Sequence, residues 1–384
     1  MVTTESTWTP SSWRTFPAAQ QPDWPEPEAL RAAQERLSGL PPLVFAGEAR
    51  ALLAGLGEVC ERRAFVLQAG DCVESFRDVS APAIRERLKV LLQMSAVLTY
   101  GATLPVVRVA RIAGQFAKPR TEATEVVDGQ EIPSFRGHVV HSDEPTVEAR
   151  RPDPDRMIHG YYQAASTLNL LRAFTKGGFA DLTHVHTWNR EFVASSPAGQ
   201  RYEAVAGEIE RALRFMQAIG IDLGDERAIH EVDVWTSHEA LLLDYEEPLV
   251  RKDSTTGDWY ACSAHFLWVG ERTRQLDGAH LEFLSGLHNP VGAKVGPSMT
   301  PEKNATCAPS RSRVRFPIHS MCAEQSYHWP VSESVRVSAS SYGRSRPSWL
   351  VHTSTSCRVR SVERSIPIAC MNRSARSISP ATAS

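Results

Sequence analysis

The sequence predicts a parallel α/β protein of the (β/α)8-barrel type. Short apolar runs alternate with longer helical patterns over most of the chain, which is the order of elements in a parallel sheet. Polar and charged residues come directly after several of these runs, where a (β/α)8 barrel carries its chemistry. A doubly wound sheet is the alternative, but no glycine-rich phosphate loop follows the first predicted strand.

The N-terminal segment, residues 1–62, is predicted to be an extended arm followed by two short helices. Residues 8–28 are rich in tryptophan and proline, and proline disrupts helix interiors and central strands. The aromatic side chains of this arm need a surface to pack on, in the same subunit or in a neighbour. The two short helices are predicted at residues 27–38 and 47–62.

Residues 63–302 carry the predicted strands and helices of a partial barrel. The apolar run 64–69 ends in a glycine, as a buried parallel strand often does, and 104–112 is a second such strand. Ser80 is a predicted N-cap with apolar residues at helical spacing after it, whereas 113–155 is polar and irregular. Further helices are predicted at 156–176 and 200–219, and further strands at 181–186, 228–235, 264–269 and 291–296.

The tail, residues 303–384, has a different composition. It carries 12 basic and three acidic residues, a net charge of +9, whereas the rest of the chain carries −11. It has one leucine, one glycine, no aspartate and nineteen serines. A segment so poor in leucine cannot bury enough apolar surface to offset its chain entropy. We interpret it as the product of a gene read in the wrong frame, and a genuine disordered extension is the alternative.

The composition also indicates the cellular compartment and excludes some classes of binding partner. The near-neutral net charge of −2 argues against a nucleic-acid-binding surface, and no apolar run reaches the roughly 20 residues that span a bilayer. The first residues lack the basic and apolar regions of a signal peptide. The body holds only Cys60, Cys72 and Cys262, too few for a disulfide framework. We therefore expect a cytoplasmic protein that acts without a membrane or nucleic acid.

Cationic side chains follow the second predicted strand. Arg111 lies at its end, and Lys118, Arg120 and Thr121 come soon after. Arginine offers two parallel donors to a phosphate or carboxylate group, so these residues are a candidate anion site. A solvated basic loop explains the same pattern equally well.

Two later segments add charged residues at strand ends. Glu271 and Arg272 follow the apolar run 264–269, and Lys294 lies inside the apolar strand 291–296. A lysine in such a strand is costly to bury unless it is paired, which favours a functional role. Cations from several strand ends indicate a small anionic substrate, most simply a phosphorylated one.

Three further residues are candidate metal ligands. Cys72 follows the first strand, where a thiolate could bind a borderline divalent metal, although a packed core cysteine is the more common case. His184 and His186 alternate along a predicted strand and face the same side. For an isolated pair like this, ordinary packing is a more common explanation than metal binding.

Long segments resemble the type II 3-deoxy-D-arabino-heptulosonate-7-phosphate (DAHP) synthases. They run in family order over about residues 8–302: PAAQQPDWP, QAGDCVESF, LLQMSAVLTYGATLPVVRVARIAGQFAKPR, FRG, TWNREFVASSPAGQRYE, SHEALLLDYE, WVGERTRQLDGAHLEF and NPVGAKVGPSMTPE. The resemblance implies a (β/α)8 barrel with N-terminal additions. It also implies a homo-oligomer that condenses phosphoenolpyruvate with erythrose 4-phosphate, releasing phosphate, at the start of the shikimate pathway.

The resemblance also implies roles for individual residues. Carried over position by position, they are a metal ligand for Mn²⁺ or Co²⁺ (Cys72), contacts to phosphoenolpyruvate (Arg111, Glu271, Arg272 and Lys294), catalytic lysines (Lys118 and Lys294), and contacts to the phosphate of erythrose 4-phosphate (Arg120 and Thr121).

The chain departs from the family pattern in its tail. The family's later arginine, its metal-binding histidine in a DPMHGNT-like strand end, and its later Glu and Asp have no match there. We therefore expect an incomplete barrel that neither folds stably nor catalyses. Thr187 stands where the family often has an acidic residue, so a secondary-metabolism paralogue in phenazine or aminoDAHP formation is an alternative. A truncated, non-catalytic remnant is another.

The wrong-frame interpretation predicts a property of the gene. Beyond codon 302, another forward frame should encode an arginine-bearing strand, an HGNT-like segment and later Glu and Asp residues. Sequencing the gene across this point and translating all three frames checks it. If no frame continues the family pattern, the tail is a genuine extension.

Overall fold

A computed structural model describes residues 8–180, 188, 197–220, 232–294 and 315–318. Its helices are α1 (Pro27–Ser38), α2 (Ala46–Cys60), α3 (Ala81–Ala102), α4 (Asp155–Lys176), α5 (Pro197–Ala218), α6 (Leu243–Glu246) and α7 (Ala279–Ser285). Its strands are β1 (Phe65–Gly70), β2 (Val106–Arg111), β3 (Thr124–Val127), β4 (Gln130–Pro133), β5 (Val234–Glu239), β6 (Val250–Lys252), β7 (Trp259–Ala261), β8 (Phe266–Val269), β9 (Val291–Lys294) and β10 (Arg315–Ile318).

The central sheet is parallel and follows chain order. Its strands lie in the order β1-β2-β5-β8-β9-β10, and every neighbouring pair is parallel. A doubly wound sheet would reverse its strand order at a switch point, and this sheet does not. The predicted α/β class is therefore confirmed, with a sheet that matches an incomplete (β/α) barrel. Of the tail, the structure describes β10 alone, by its backbone.

Most predicted elements occur close to their predicted positions. Helix α1 has the predicted bounds, and the hydroxyl of Ser80 caps α3 by accepting from the amide of Ala83 at 3.4 Å. The strand predicted at 228–235 is wrong in its bounds, because β5 runs from Val234 to Glu239. The polar residues of its second half, from Thr236 to Glu239, do not give the apolar run that predicts a buried strand. The predicted strand at 181–186 lies outside the described residues, with His184, His186 and Thr187.

Alternate side chains of the strands point into the barrel. On β5 these are Trp235, Ser237 and Glu239. This orientation follows from a hydrogen bond across the interior, in which the side-chain nitrogen of Gln68 on β1 donates to the hydroxyl of Ser237 at 3.3 Å. The polar residues of β5 thus face the barrel interior and its upper edge rather than solvent. This arrangement explains why the strand lacks the continuous apolar run expected of a buried parallel strand.

Helix α2 closes the lower end of the barrel. Leu52 and Leu56 are fully buried and pack against Val109, Phe266 and Trp268, which face the barrel interior from the two strands β2 and β8. These strands are brought together only in the tertiary structure. The floor of the barrel is therefore apolar, and the charged side chains that end the strands lie at the opposite edge.

The N-terminal arm packs on the same chain. The indole nitrogen of Trp13 donates to Glu247 at 2.7 Å, that of Trp24 to Asp244 at 2.9 Å, and that of Trp8 to a backbone carbonyl of α7 at 2.9 Å. Each tryptophan thus combines apolar packing with one satisfied polar atom. The surface required by the aromatic arm is the outside of its own barrel.

A β-hairpin interrupts the stretch predicted to be irregular. Strands β3 and β4 are antiparallel and are joined through Asp128 and Gly129, which both have positive φ. Asp-Gly is a preferred dipeptide of a two-residue type I′ turn, so the sequence itself indicates a hairpin at this position. Among the described residues, no helix is both long and apolar enough to cross a bilayer.

Leu52→Ala tests the floor of the barrel. Because Leu52 is fully buried against two aromatic rings, we expect the free energy of unfolding to fall by about 3 kcal/mol. Urea unfolding followed by circular dichroism measures it. The matched control is Leu53→Ala, at a half-buried position on the same helix, which should cost less than half as much. Equal losses would contradict the assignment of Leu52 to the floor.

Candidate active site

Charged residues from three strands meet at the upper edge of the sheet. Arg111 ends β2, Glu239 ends β5 and Lys294 ends β9, while Arg272 lies in the loop after β8. Because the strands are parallel, their carboxyl ends lie at one edge. The positive charges of Lys294, Arg111 and Arg272 all act on the Glu239 carboxyl, in that order of strength. These four side chains therefore form one electrostatic cluster.

Glu239 is the centre of this cluster and is 6% exposed. Burial raises the pKa of its carboxyl above the ordinary value, and the three cations act in the opposite direction. A Cβ atom at position 270 would lie 1.9 Å from the Oε1 atom of Glu239, so a side chain there would displace this carboxylate. The glycine after β8 thus leaves space for the carboxylate.

Arg111 is held in place by contacts on two sides. Its guanidinium lies over the ring of Trp268 at 5.0 Å, and its Nη2 atom donates to the carbonyl of Cys72 at 3.4 Å. Its Nε atom is buried and has no hydrogen-bond partner in the described part of the chain, and the same holds for Oε1 of Glu239. Buried polar atoms of this kind are normally satisfied, so they mark where a polar ligand would bind.

The loop after β2 reaches the loop after β8. The hydroxyl of Thr121 accepts from Nη2 of Arg272 at 2.6 Å and from its Nε at 3.0 Å. Arg120 pairs with Glu125 at 2.5 Å, and the amide of Lys118 donates to a backbone carbonyl at 2.8 Å. The predicted anion-binding loop is thus brought next to Arg272, although Arg120 is paired with a carboxylate.

Two further residues organise the edge, and sequence reasoning missed both. The buried carboxylate of Glu74 accepts from the amides of Ala113, Gly114 and Gln115 at 2.8–3.0 Å. Burial raises its pKa, and these three hydrogen bonds act against that rise. The side chain of Gln115 then accepts from the amide of Glu239 at 3.0 Å. The ends of β1, β2 and β5 are thereby linked in one chain of hydrogen bonds.

Similarity to known proteins identifies the group to which this chain belongs. A family model described as the Class-II DAHP synthetase family matches residues 8–310. The chain belongs to this family. The resemblance predicted from the sequence is therefore confirmed, and the match continues past Glu302.

Two relatives of the class-II family match closely. The chain is 55% identical over 293 residues to phospho-2-dehydro-3-deoxyheptonate aldolase of Streptomyces coelicolor, covering 76% of this chain and 64% of the relative. It is 48% identical over 291 residues to the enzyme of the same name from Mycolicibacterium smegmatis, covering 74% and 61%. The chain thus spans a little under two thirds of the length of these relatives.

The predicted site residues of the class-II chain fall into two groups. Arg111, Arg272 and Lys294 gather around Glu239, and Thr121 joins them through Arg272. The remaining predicted residues lie at the margin of the cluster in the described structure, two of them exposed and two half-buried: Cys72, Glu271, Lys118 and Arg120.

The class-II resemblance implies a divalent metal ion with Cys72 as a ligand. Cys72 is exposed after β1. Within the described ranges, however, no three His, Cys, Asp or Glu side chains come together as a metal site requires. The described residues therefore do not fit a metal centre by themselves, and what they offer a ligand at this edge is a set of cationic and polar side chains.

Two cavities of the described structure lie away from this edge. One lies between α2 and the β6–β7 hairpin and includes Arg50 and Asp253, which are paired with each other. The other lies between α4 and the start of β5 and includes the ion pair of Glu48 and Arg172. Their charged groups already have partners within the protein, so the cluster around Glu239 is the better candidate site.

Glu239→Gln tests the buried carboxyl. In the unfolded chain Glu239 ionises near its ordinary pKa of about 4.3, but in the folded chain burial raises that pKa. Wild type should therefore lose stability relative to Glu239→Gln as pH rises from about 4 to about 7. Chemical unfolding at several pH values measures the difference.

The control for this experiment is Glu28→Gln. The Glu28 side chain is 93% exposed on α1, so its replacement should change stability little at any pH. A difference between wild type and Glu239→Gln that does not vary with pH would contradict the effect of burial on this carboxyl.

Proposed function

We propose that the chain carries the phosphoenolpyruvate side of a DAHP synthase site. The proposed reaction condenses phosphoenolpyruvate with erythrose 4-phosphate to give DAHP and phosphate, the first step of aromatic amino acid biosynthesis. The main support is the convergence of Arg111, Arg272 and Lys294 on one buried carboxylate at the upper sheet edge, in a chain of this family.

The cations would bind and orient phosphoenolpyruvate. Arg111 and Arg272 present planar guanidinium groups that match phosphate oxygens, and Lys294 supplies a compact charge suited to the carboxylate. Glu271 completes the proposed set. Fixed ligand positions place the enol carbon of the substrate for attack on an aldehyde, which lowers the entropic part of the barrier. Positive charge that develops at C2 before water attacks would be offset by the carboxylates of the site and by the bound anions.

Erythrose 4-phosphate would bind next to this site. Arg120 and Thr121 are the proposed contacts to its phosphate, and Lys118 is the proposed active-site lysine near the aldehyde. The bond between Arg272 and Thr121 supports this arrangement, because it places the loop after β2 beside a proposed phosphoenolpyruvate contact. One substrate would then influence the position of the other through a single arginine.

The remaining parts of the proposal come from the family resemblance. These parts are a manganese or cobalt ion, with Cys72 as one ligand, and a homo-oligomeric state. The proposed cytoplasmic location rests instead on the composition of the chain. A second candidate function is phosphoenolpyruvate binding without turnover. The observation that favours it is that the described residues alone do not form a metal site.

Phosphoenolpyruvate titration of the purified chain tests the first part of the proposal. We expect binding by isothermal calorimetry, and Lys294→Met should weaken it at least tenfold, because it removes a charged partner of the substrate. The matched control is Lys252→Met, at an exposed lysine on β6. Equal weakening by both variants would contradict the proposed site.

Turnover then separates the two candidate functions. The assay adds erythrose 4-phosphate and Mn²⁺ and measures the release of phosphate from phosphoenolpyruvate. Phosphate release that depends on both substrates supports the synthase, whereas binding without release supports the non-catalytic candidate.

A further inference from the structure

Two adjacent glutamines of the N-terminal arm reach the loops of the candidate site. The side-chain oxygen of Gln20 accepts from the backbone amide of Arg120 at 2.8 Å. Arg120 lies in the loop after β2, and its own side chain is paired with Glu125. The backbone of this loop is therefore held by a residue one hundred positions earlier in the chain.

Gln21 makes a similar contact with the segment after β5. Its oxygen accepts from the amide of Leu243 at 2.9 Å, and its nitrogen donates to the carbonyl of Leu241 at 2.8 Å. The side-chain amide satisfies one backbone donor and one backbone acceptor, just beyond Glu239. Gln20 and Gln21 thus connect the arm to two of the loops that border the cluster.

The backbone of the arm is shaped for this double contact. Gln20 has φ of +64°, a left-handed conformation that is unfavourable for residues other than glycine. Such a conformation persists where surrounding contacts hold it. On one side the carbonyl of Pro17 accepts from the amide of Ala279, and on the other the indole of Trp24 donates to Asp244. The turn at Gln20 therefore lies between two anchored points.

The loop after β2 has few connections at this position. The amide of Lys118 donates to Arg136, the hydroxyl of Thr121 binds Arg272, and the amide of Arg120 donates to Gln20. The third contact is the one that comes from the arm. Its loss would leave no hydrogen bond to the backbone between Lys118 and Thr121 among those named, and this stretch would be held by its two end contacts and by the ion pair of the Arg120 side chain with Glu125.

We propose that the N-terminal arm is a positioning element of the site, with Gln20 as the residue that sets the loop Lys118–Thr121 against Arg272. Gln20 touches no proposed substrate, so it acts through the loop. The identity of the affected ligand, the phosphate of the aldehyde substrate, rests on the proposed function. The hydrogen bond from Arg120 to Gln20 does not.

Hydrogen–deuterium exchange tests the contact without any turnover. In Gln20→Ala, the peptide that contains Arg120 should exchange about fivefold faster, the change expected from one lost hydrogen bond. Gln20→Gly removes the same acceptor but suits the left-handed backbone, so it should give the same result even if the alanine variant folds poorly. Gln20→Glu retains an acceptor oxygen and should restore slow exchange.

The matched control is Trp8→Phe. It removes another hydrogen bond between arm and barrel, at α7, and keeps the aromatic ring. Exchange at Arg120 should not change in this variant. If Gln20→Gly exchanges at Arg120 like wild type, or if Trp8→Phe accelerates it equally, the proposal is wrong and the arm acts as general support.

Steady-state kinetics give the second readout. If the chain turns over, Gln20→Gly should raise KM for erythrose 4-phosphate about fivefold and leave KM for phosphoenolpyruvate near its wild-type value. An equal rise in both KM values would contradict a role specific to this loop. If wild type shows no turnover, the proposed synthase activity fails for this chain, whereas the exchange experiment still decides the role of Gln20.

Discussion

The upper edge of the sheet depends on one buried carboxylate. Without the negative charge of Glu239, Arg111, Arg272 and Lys294 would bring three like charges to one edge of the sheet. The carboxylate lowers that repulsion, and the cations in turn lower the cost of its burial. The flanking loop geometry follows from this balance: Gly270 leaves space for the carboxylate, and Gln115 holds its backbone amide. The site thus keeps an excess of positive charge, with three cations around one carboxylate. It also keeps two buried polar atoms without a hydrogen-bond partner in the described part of the chain, Nε of Arg111 and Oε1 of Glu239.

Much of the fold could be predicted because its signals are local. Apolar runs marked β1, β2, β8 and β9, and an N-cap serine marked the start of α3. Strand β5 was misplaced because half of its residues serve the barrel interior and upper edge, so its polarity resembles that of a loop. The β3–β4 hairpin was missed although its Asp-Gly turn was present. In both places the signal lies in turn chemistry and strand alternation rather than in apolar content.

The site was predictable only in part. Lys294 could be predicted as a functional residue because a lysine within an apolar strand is unusual and is visible in the local sequence. Glu239, Glu74 and Gln115 have no such anomaly, since their importance arises from partners roughly 30 or more residues away. The same holds for Gln20, whose partner amide is one hundred residues distant. Convergence of this kind is a property of the tertiary structure, and a single sequence carries little trace of it.

The apolar floor also bears on how the chain reaches this structure. Leu52 and Leu56 of α2 leave the ribosome about two hundred residues before Phe266 and Trp268, on which they pack. During synthesis the apolar face of α2 therefore stays without these packing partners until most of the sheet has been made. Contacts so distant in sequence form slowly, and an apolar surface that is exposed in the meantime can associate with other unfolded chains. Helix α2, which covers the lower end of the folded sheet, is therefore also a segment prone to aggregation while the chain is being synthesised.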